Sequence, residues 1–100
     1  MKKAISYRNT HRIEGIFCMK ITTLEYFIAV AEAGSIRAAA QKLYLAQPSL
    51  TKSLQSMEQE LGVQLFTRTS SGIRLTIAGE TILPQARQVI ALYNGWLELG

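Results

Sequence analysis

From Leu24 onward the apolar positions recur at helical spacing. Leu24, Phe27, Ile28 and Ala31 fall at i, i+3, i+4 and i+7, which places one apolar stripe on a first helix. Gly34 supplies a stop for it, and Ser35 stands where a second helix needs an N-cap. In that second helix Ile36, Ala39, Ala40 and Leu43 repeat the spacing, and the small alanines let a neighbouring helix approach closely. Only Tyr44, Leu45 and Ala46 then precede Gln47 and Pro48. Proline suits a first helical turn because its missing N–H would have no partner there. A third helix follows, with Leu50, Leu54, Met57 and Leu61 on its inner face and Gly62 as its stop. A helix-turn-helix is thus expected over about residues 36–61.

Residues 64–69 and 73–76 are short segments separated by Ser70-Ser71-Gly72, a turn-forming group that closes a small hairpin with Arg68 and Arg74 on its two arms. Thr76 can cap a final helix, in which Ile82, Ala86, Val89, Tyr93 and Trp96 follow a 4-3-4-3 rhythm and Leu83, Ile90 and Leu97 widen the stripe. About 20 helical residues extend roughly 30 Å, as long as a small domain is wide. A three-helix body cannot cover such a stripe, so Ile82, Ala86, Val89, Ile90, Tyr93, Trp96 and Leu97 are expected to pair two subunits as a homodimer. Pro84 should kink this helix or lie near its start, and Gly95 should let its last turn fray. Residues 1–18 show no period and read as a basic, disordered tail, with Met19 an alternative start. The expected division is a tail at 1–18, a domain at 19–76 and a linker helix at 77–100.

A chain of 100 residues allows one domain, and 48% hydrophobic with 18% charged residues is the balance of a folded one. The net charge of +4 is uneven. The tail carries +3; residues 33–75 carry +3 through Arg37, Lys42, Lys52, Arg68 and Arg74 against Glu58 and Glu60; each flank of that segment carries −1. A single cysteine, Cys18, excludes an internal disulfide and, with no partner at metal-ligand spacing, argues against a metal site. Arg8 and Arg12 interrupt any export signal after Met1-Lys2-Lys3, and the longest apolar run, residues 26–31, is six residues where a membrane span needs about 20. A cytoplasmic protein is expected. The sole histidine is His11 in the tail, aspartate is absent, and no phosphate-binding glycine loop or nucleophile–base pair stands out, so neither enzyme nor cofactor is expected.

The chemistry concentrates on the outer face of the third helix, which presents Gln47, Thr51, Lys52, Gln55 and Gln59, flanked by Ser49 and Ser56. None of these is acidic. Amides and hydroxyls read base edges, and a lysine meets guanine or phosphate. The same spacing also fits an ordinary helical bundle whose outer face is merely solvated.

The match becomes specific over residues 19 to about 92. Leu24-Glu25-Tyr26-Phe27, Gly34-Ser35, Ala39-Ala40, Leu43, Gln47-Pro48-Ser49-Leu50-Thr51, Leu54, Glu58, Leu61-Gly62, Leu65-Phe66, Arg68, Leu75-Thr76 and Ala78-Gly79-Glu80 stand in one family's order and spacing. The chain resembles the N-terminal domain of the LysR-type transcriptional regulators. The resemblance implies a mainly α fold, a winged helix-turn-helix of three helices plus a short β-hairpin wing, continued by a long linker helix that pairs two subunits. It implies double-stranded DNA as partner, with Gln47, Pro48, Thr51 and Lys52 in the major groove and Ser49 and Gln55 beside them. Ser35 and Arg68 are candidates for phosphate contact. Ser35 can equally be a cap alone, and Arg68 can pair with Glu58 or Glu60; Arg74 on a wing strand can face solvent or DNA.

Three departures from the family pattern stand out. Ala46 replaces the usual Ser or Thr, which removes a side-chain N-cap from the third helix at a cost of roughly 1 kcal/mol. Ser71 stands at a wing-tip position often filled by arginine, and the sequence ends in the linker helix, so no effector pocket is expected in this chain. Two functional classes follow: a sequence-specific domain binding promoter half-sites as a dimer, or a truncated dimerisation module that pairs with related regulators without specific DNA binding.

Overall fold

The helices begin and end on local chemistry. In the computed structural model, which describes residues 19–100, the order is α1 (Ile21–Ala33), α2 (Ile36–Leu43), α3 (Gln47–Leu61), β1 (Phe66–Thr69), β2 (Gly72–Leu75) and α4 (Ile77–Leu99). The expected tail, with His11 and Cys18, lies outside the described residues. Gly34 ends α1 in the left-handed region at φ 68, its N–H donating to the Val30 carbonyl at 2.9 Å. Ser35 Oγ then accepts from the Ala38 N–H at 3.0 Å, capping α2. Tyr44, not a glycine, ends α2 at φ 58; its N–H donates to the Gln41 carbonyl at 3.2 Å and the next N–H, of Leu45, to the Ala40 carbonyl at 2.9 Å. These bonds hold a tyrosine in a conformation that L-residues seldom adopt. The turn between α2 and α3 is the expected three residues. As anticipated, Ala46 offers α3 no side-chain cap, and Pro48 occupies its first turn.

Phe27, Val30, Leu50, Met57 and Leu65 are fully buried, and Ile36, Ala39, Ala40, Leu54, Phe66 and Ala86 complete the core. The Phe27 and Phe66 rings meet at 5.4 Å between centroids, which joins the first helix to the wing. Leu61, expected on the inner face of α3, is instead 40% exposed. It is the last residue before the Gly62 stop, and the core ends one turn earlier at Met57.

The hairpin is antiparallel, with Phe66 opposite Leu75, Thr67 opposite Arg74, Arg68 opposite Ile73 and Thr69 opposite Gly72. Its first arm is shorter than expected and its second is shifted by one residue, because residues 64 and 65 and Thr76 bond outside the ladder while Gly72 joins it. The Thr76 N–H donates to the Leu65 carbonyl at 2.9 Å, and its hydroxyl donates to the Gln64 carbonyl at 2.6 Å while accepting the Gly79 N–H at 3.1 Å. Thr76 therefore caps α4 and closes the base of the wing together. Gly72 belongs to β2 and not to the turn, and its role is close approach. At φ 144, an added Cβ would lie 2.8 Å from the Gly34 carbonyl oxygen, which also accepts the Ile73 N–H at 3.3 Å. The wing is thereby fastened to the corner between α1 and α2.

Helix α4 continues through Pro84 and Gly95 to Leu99 as one element, so Pro84 lies well inside it and Gly95 does not end it.

Candidate nucleic-acid interface

Helix α3 buries one side and offers the rest. Leu50, Leu54 and Met57 face inward, while Gln47, Pro48, Ser49, Lys52 and Gln55 are exposed and Thr51 is half-buried. The polar face has two edges. Gln47, Thr51 and Gln55 border the concavities between α3 and the wing, alongside Arg68. Ser49, Lys52, Ser53 and Ser56 border the start of α1, near Lys20 and Thr22. All the contact positions expected on α3 therefore lie on one accessible surface.

The hairpin register separates the two wing arginines. Residues opposite each other, or two apart along a strand, share a face, so Arg68 lies on the face of Phe66, Ile73 and Leu75. That face looks toward α2 and α3. Arg74, opposite Thr67, lies on the other face and borders a concavity shared with Glu80. Both arginines are exposed.

Glu58 does something the sequence reading did not assign. Its Oε2 accepts from the N–H groups of Leu65 at 2.7 Å and Phe66 at 3.2 Å, tying α3 to the strand that opens the wing. The carboxylate thus serves two backbone donors and not Arg68, which answers one of the two ion pairs considered for that arginine. An ion pair joins Arg87 to Glu32 at 3.1 Å, with both side chains about half exposed, 51% and 53%. Such a pair contributes about 0–1 kcal/mol and steadies α4 on α1 only slightly. Arg37, which the sequence reading counted only in the regional charge, is exposed at the start of α2 beside the wing.

The apolar stripe of α4 divides in two. Ala86 is 2% exposed and belongs to the core of its own chain, with Ile82 and Leu83 packed against that core. This takes Ala86 out of the surface expected to pair with a second subunit, while Ile82 is half-buried and only partly covered by the core. Beyond them the helix leaves the body of the domain. Val89, Leu92, Trp96 and Leu97 are 43–63% exposed, and Ile90 and Tyr93 are half-buried. Tyr93 and Trp96 stack edge to face at 6.5 Å. Leu92 joins this patch without having been part of the expected stripe. Among the described residues no helix is long and apolar enough to cross a membrane.

Three packed helices, a two-stranded wing, an exposed polar second helix of the turn and a projecting final helix define a winged helix-turn-helix protein. Residues 21–80 match the model of the bacterial regulatory helix-turn-helix proteins of the lysR family, and the chain belongs to that family. It is 49% identical over 74 residues to the transcriptional regulator TfdT of Cupriavidus pinatubonensis, covering 74% of this chain and 32% of TfdT. It is 51% identical over 72 residues to ClcR of Pseudomonas putida, covering 72% of this chain and 24% of ClcR. The chain therefore spans about a quarter to a third of the length of these relatives. Among solved structures, the CbnR_DBD–DNA complex is 44% identical with a TM-score of 0.77 over 80% of this chain and 92% of that one. The complex of BenM_DBD with catB site 1 DNA is 34% identical with a TM-score of 0.77 over 81% of this chain and 91% of that one.

Proposed function

We propose that this chain is the DNA-reading part of a LysR-type transcriptional regulator, binding double-stranded DNA sequence-specifically as a homodimer in the cytoplasm and catalysing no reaction. The observation that carries the proposal is the carboxylate-free stretch of exposed α3 surface formed by Gln47, Pro48, Ser49, Thr51, Lys52 and Gln55. Each α3 lies in the major groove of one promoter half-site. Gln47 is the best-placed reader of a base edge, since a glutamine amide presents a donor and an acceptor together and pairs two-pronged with adenine. Lys52 meets guanine or phosphate, and Arg68 meets the backbone from the inner face of the wing. Ser35 both caps α2 and offers its hydroxyl to phosphate. Arg74 lies on the outer face of the wing near Glu80, away from the face that carries Arg68. The likeness to two domains solved with DNA supports this reading.

Pairing uses the outer half of α4, Val89 to Leu97, and Ile82 and Ala86 support it from within each subunit. The alternative, a pairing module without specific DNA binding, leaves the composition of the α3 face unexplained. Selection of bound fragments from random DNA at near-physiological salt tests the proposal, with residues 19–100 and a Gln47→Ala variant. Enrichment of a two-fold symmetric sequence by the parent, lost in the variant, is expected. Sequence-independent binding by the parent would overturn specific reading and favour the pairing module.

A further inference from the structure

Between the wing and the start of α2 lies a concavity bordered by Ser35, Arg37, Gln47, Arg68, Thr69 and Ser70. No carboxylate is among its lining residues. Arg37 and Arg68 thus both border one space, and an anion placed in it meets two positive side chains. The two walls are held at a set distance by backbone: the Gly34 carbonyl accepts the Ile73 N–H at 3.3 Å, and Gly72 packs against the same oxygen. The backbone positions that carry the two arginines are therefore held together by the fold.

We infer that Arg37 and Arg68 form a clamp on a single backbone phosphate of duplex DNA, and that Arg37 is a contact residue in addition to those of the recognition helix. The inference rests on the DNA-binding reading above. A guanidinium presents its donors as a rigid fork matched to phosphate oxygens, so two of them saturate one phosphate from opposite sides. Ser35 Oγ is an acceptor for the Ala38 N–H and keeps its own hydrogen to donate. Gln47 borders the same concavity, so holding that phosphate fixes where the first turn of α3 meets the base edges. Arg74 takes no part, because the register puts it on the other face of the wing.

The test is the affinity of the parent, Arg37→Gln, Arg68→Gln and the double variant for the selected duplex across a range of salt, with thermal melting to follow the fold. Both side chains are exposed, so unchanged melting is expected. A shared phosphate predicts that each single variant loses about tenfold in affinity. It also predicts that the slope of log affinity against log salt stays close to the parent's in each single variant, where the remaining arginine still neutralises the phosphate, and falls by about 0.9 per subunit only in the double. An Arg37→Gln variant that binds like the parent overturns the clamp, as does a double variant whose slope falls by about 1.8 per subunit, the mark of two separate phosphates. Inorganic phosphate added at constant ionic strength should not compete with the duplex; competition abolished in the double variant would assign the clamp to free phosphate and overturn the DNA assignment. A parent chain that binds no duplex overturns the DNA-binding reading itself and is seen before any variant is made.

Discussion

Two helix faces leave the core of this domain, and they are chemical opposites. The outer face of α3 carries amides, hydroxyls and one lysine, groups that water satisfies without a partner. The outer half of α4 carries Val89, Leu92, Trp96 and Leu97, which water does not satisfy. Exposure alone carries different information in the two places. A solvated polar face gains meaning from residue type and family, whereas an apolar stripe calls for cover on physical grounds, each large side chain contributing roughly 1.5–3 kcal/mol when fully buried. The two associations should respond differently to salt. Binding through α3 and the arginines should weaken steeply as salt rises, while pairing through α4 should not.

The sharpest way to break the comparison is to make the second face resemble the first. Trp96→Lys combined with Leu97→Lys places two charges in the proposed pairing surface and should weaken dimerisation at least a hundredfold, about 3 kcal/mol or more, by sedimentation equilibrium. Because both side chains are exposed, the circular dichroism of the subunit should not change. A variant that stays dimeric would place pairing elsewhere. A smaller effect is expected where α3 is fastened to the wing. Glu58→Ala leaves the N–H groups of Leu65 and Phe66 without their acceptor and should cost about 1–3 kcal/mol in urea unfolding. Parent-like stability would mean that water replaces the carboxylate. The smallest effect sharpens the contrast from the polar side. Ala46→Ser restores a cap to α3 and should add about 1 kcal/mol of stability, with the preferred DNA sequence unchanged. A changed preference would show that the cap position itself takes part in reading.

Much of this architecture was legible in the residues because its signals are local. As stops and caps, Gly34, Ser35, Pro48, Gly62 and Thr76 act within a turn of where they stand, and each does in the structure what its type suggests. Features that depend on partners distant in sequence were not legible. The left-handed Tyr44 carries no glycine to announce it, and Leu61 kept the helical rhythm one turn past the end of the core. The α4 stripe read as one surface because its spacing is continuous; only packing within the domain shows that Ala86 is already covered and Ile82 partly so. On the DNA-facing side, the polar positions of α3 followed from periodicity. The opposite faces of Arg68 and Arg74 required the hairpin register, and Arg37 gains its neighbours only when the wing folds back to Gly34. Glu58 was legible as a charge, but its two backbone partners lie across the turn after Gly62.

The central claim, that one face reads DNA while the other couples two readers, is tested most directly by the dependence of affinity on half-site spacing. Inserting five base pairs between the half-sites of the selected duplex turns one half-site to about the opposite side of the helix, since a turn is about 10.5 base pairs. The account predicts that the parent chain loses at least about tenfold in affinity while the Trp96→Lys, Leu97→Lys variant, binding as single subunits, loses none. A parent chain indifferent to the insertion would contradict it.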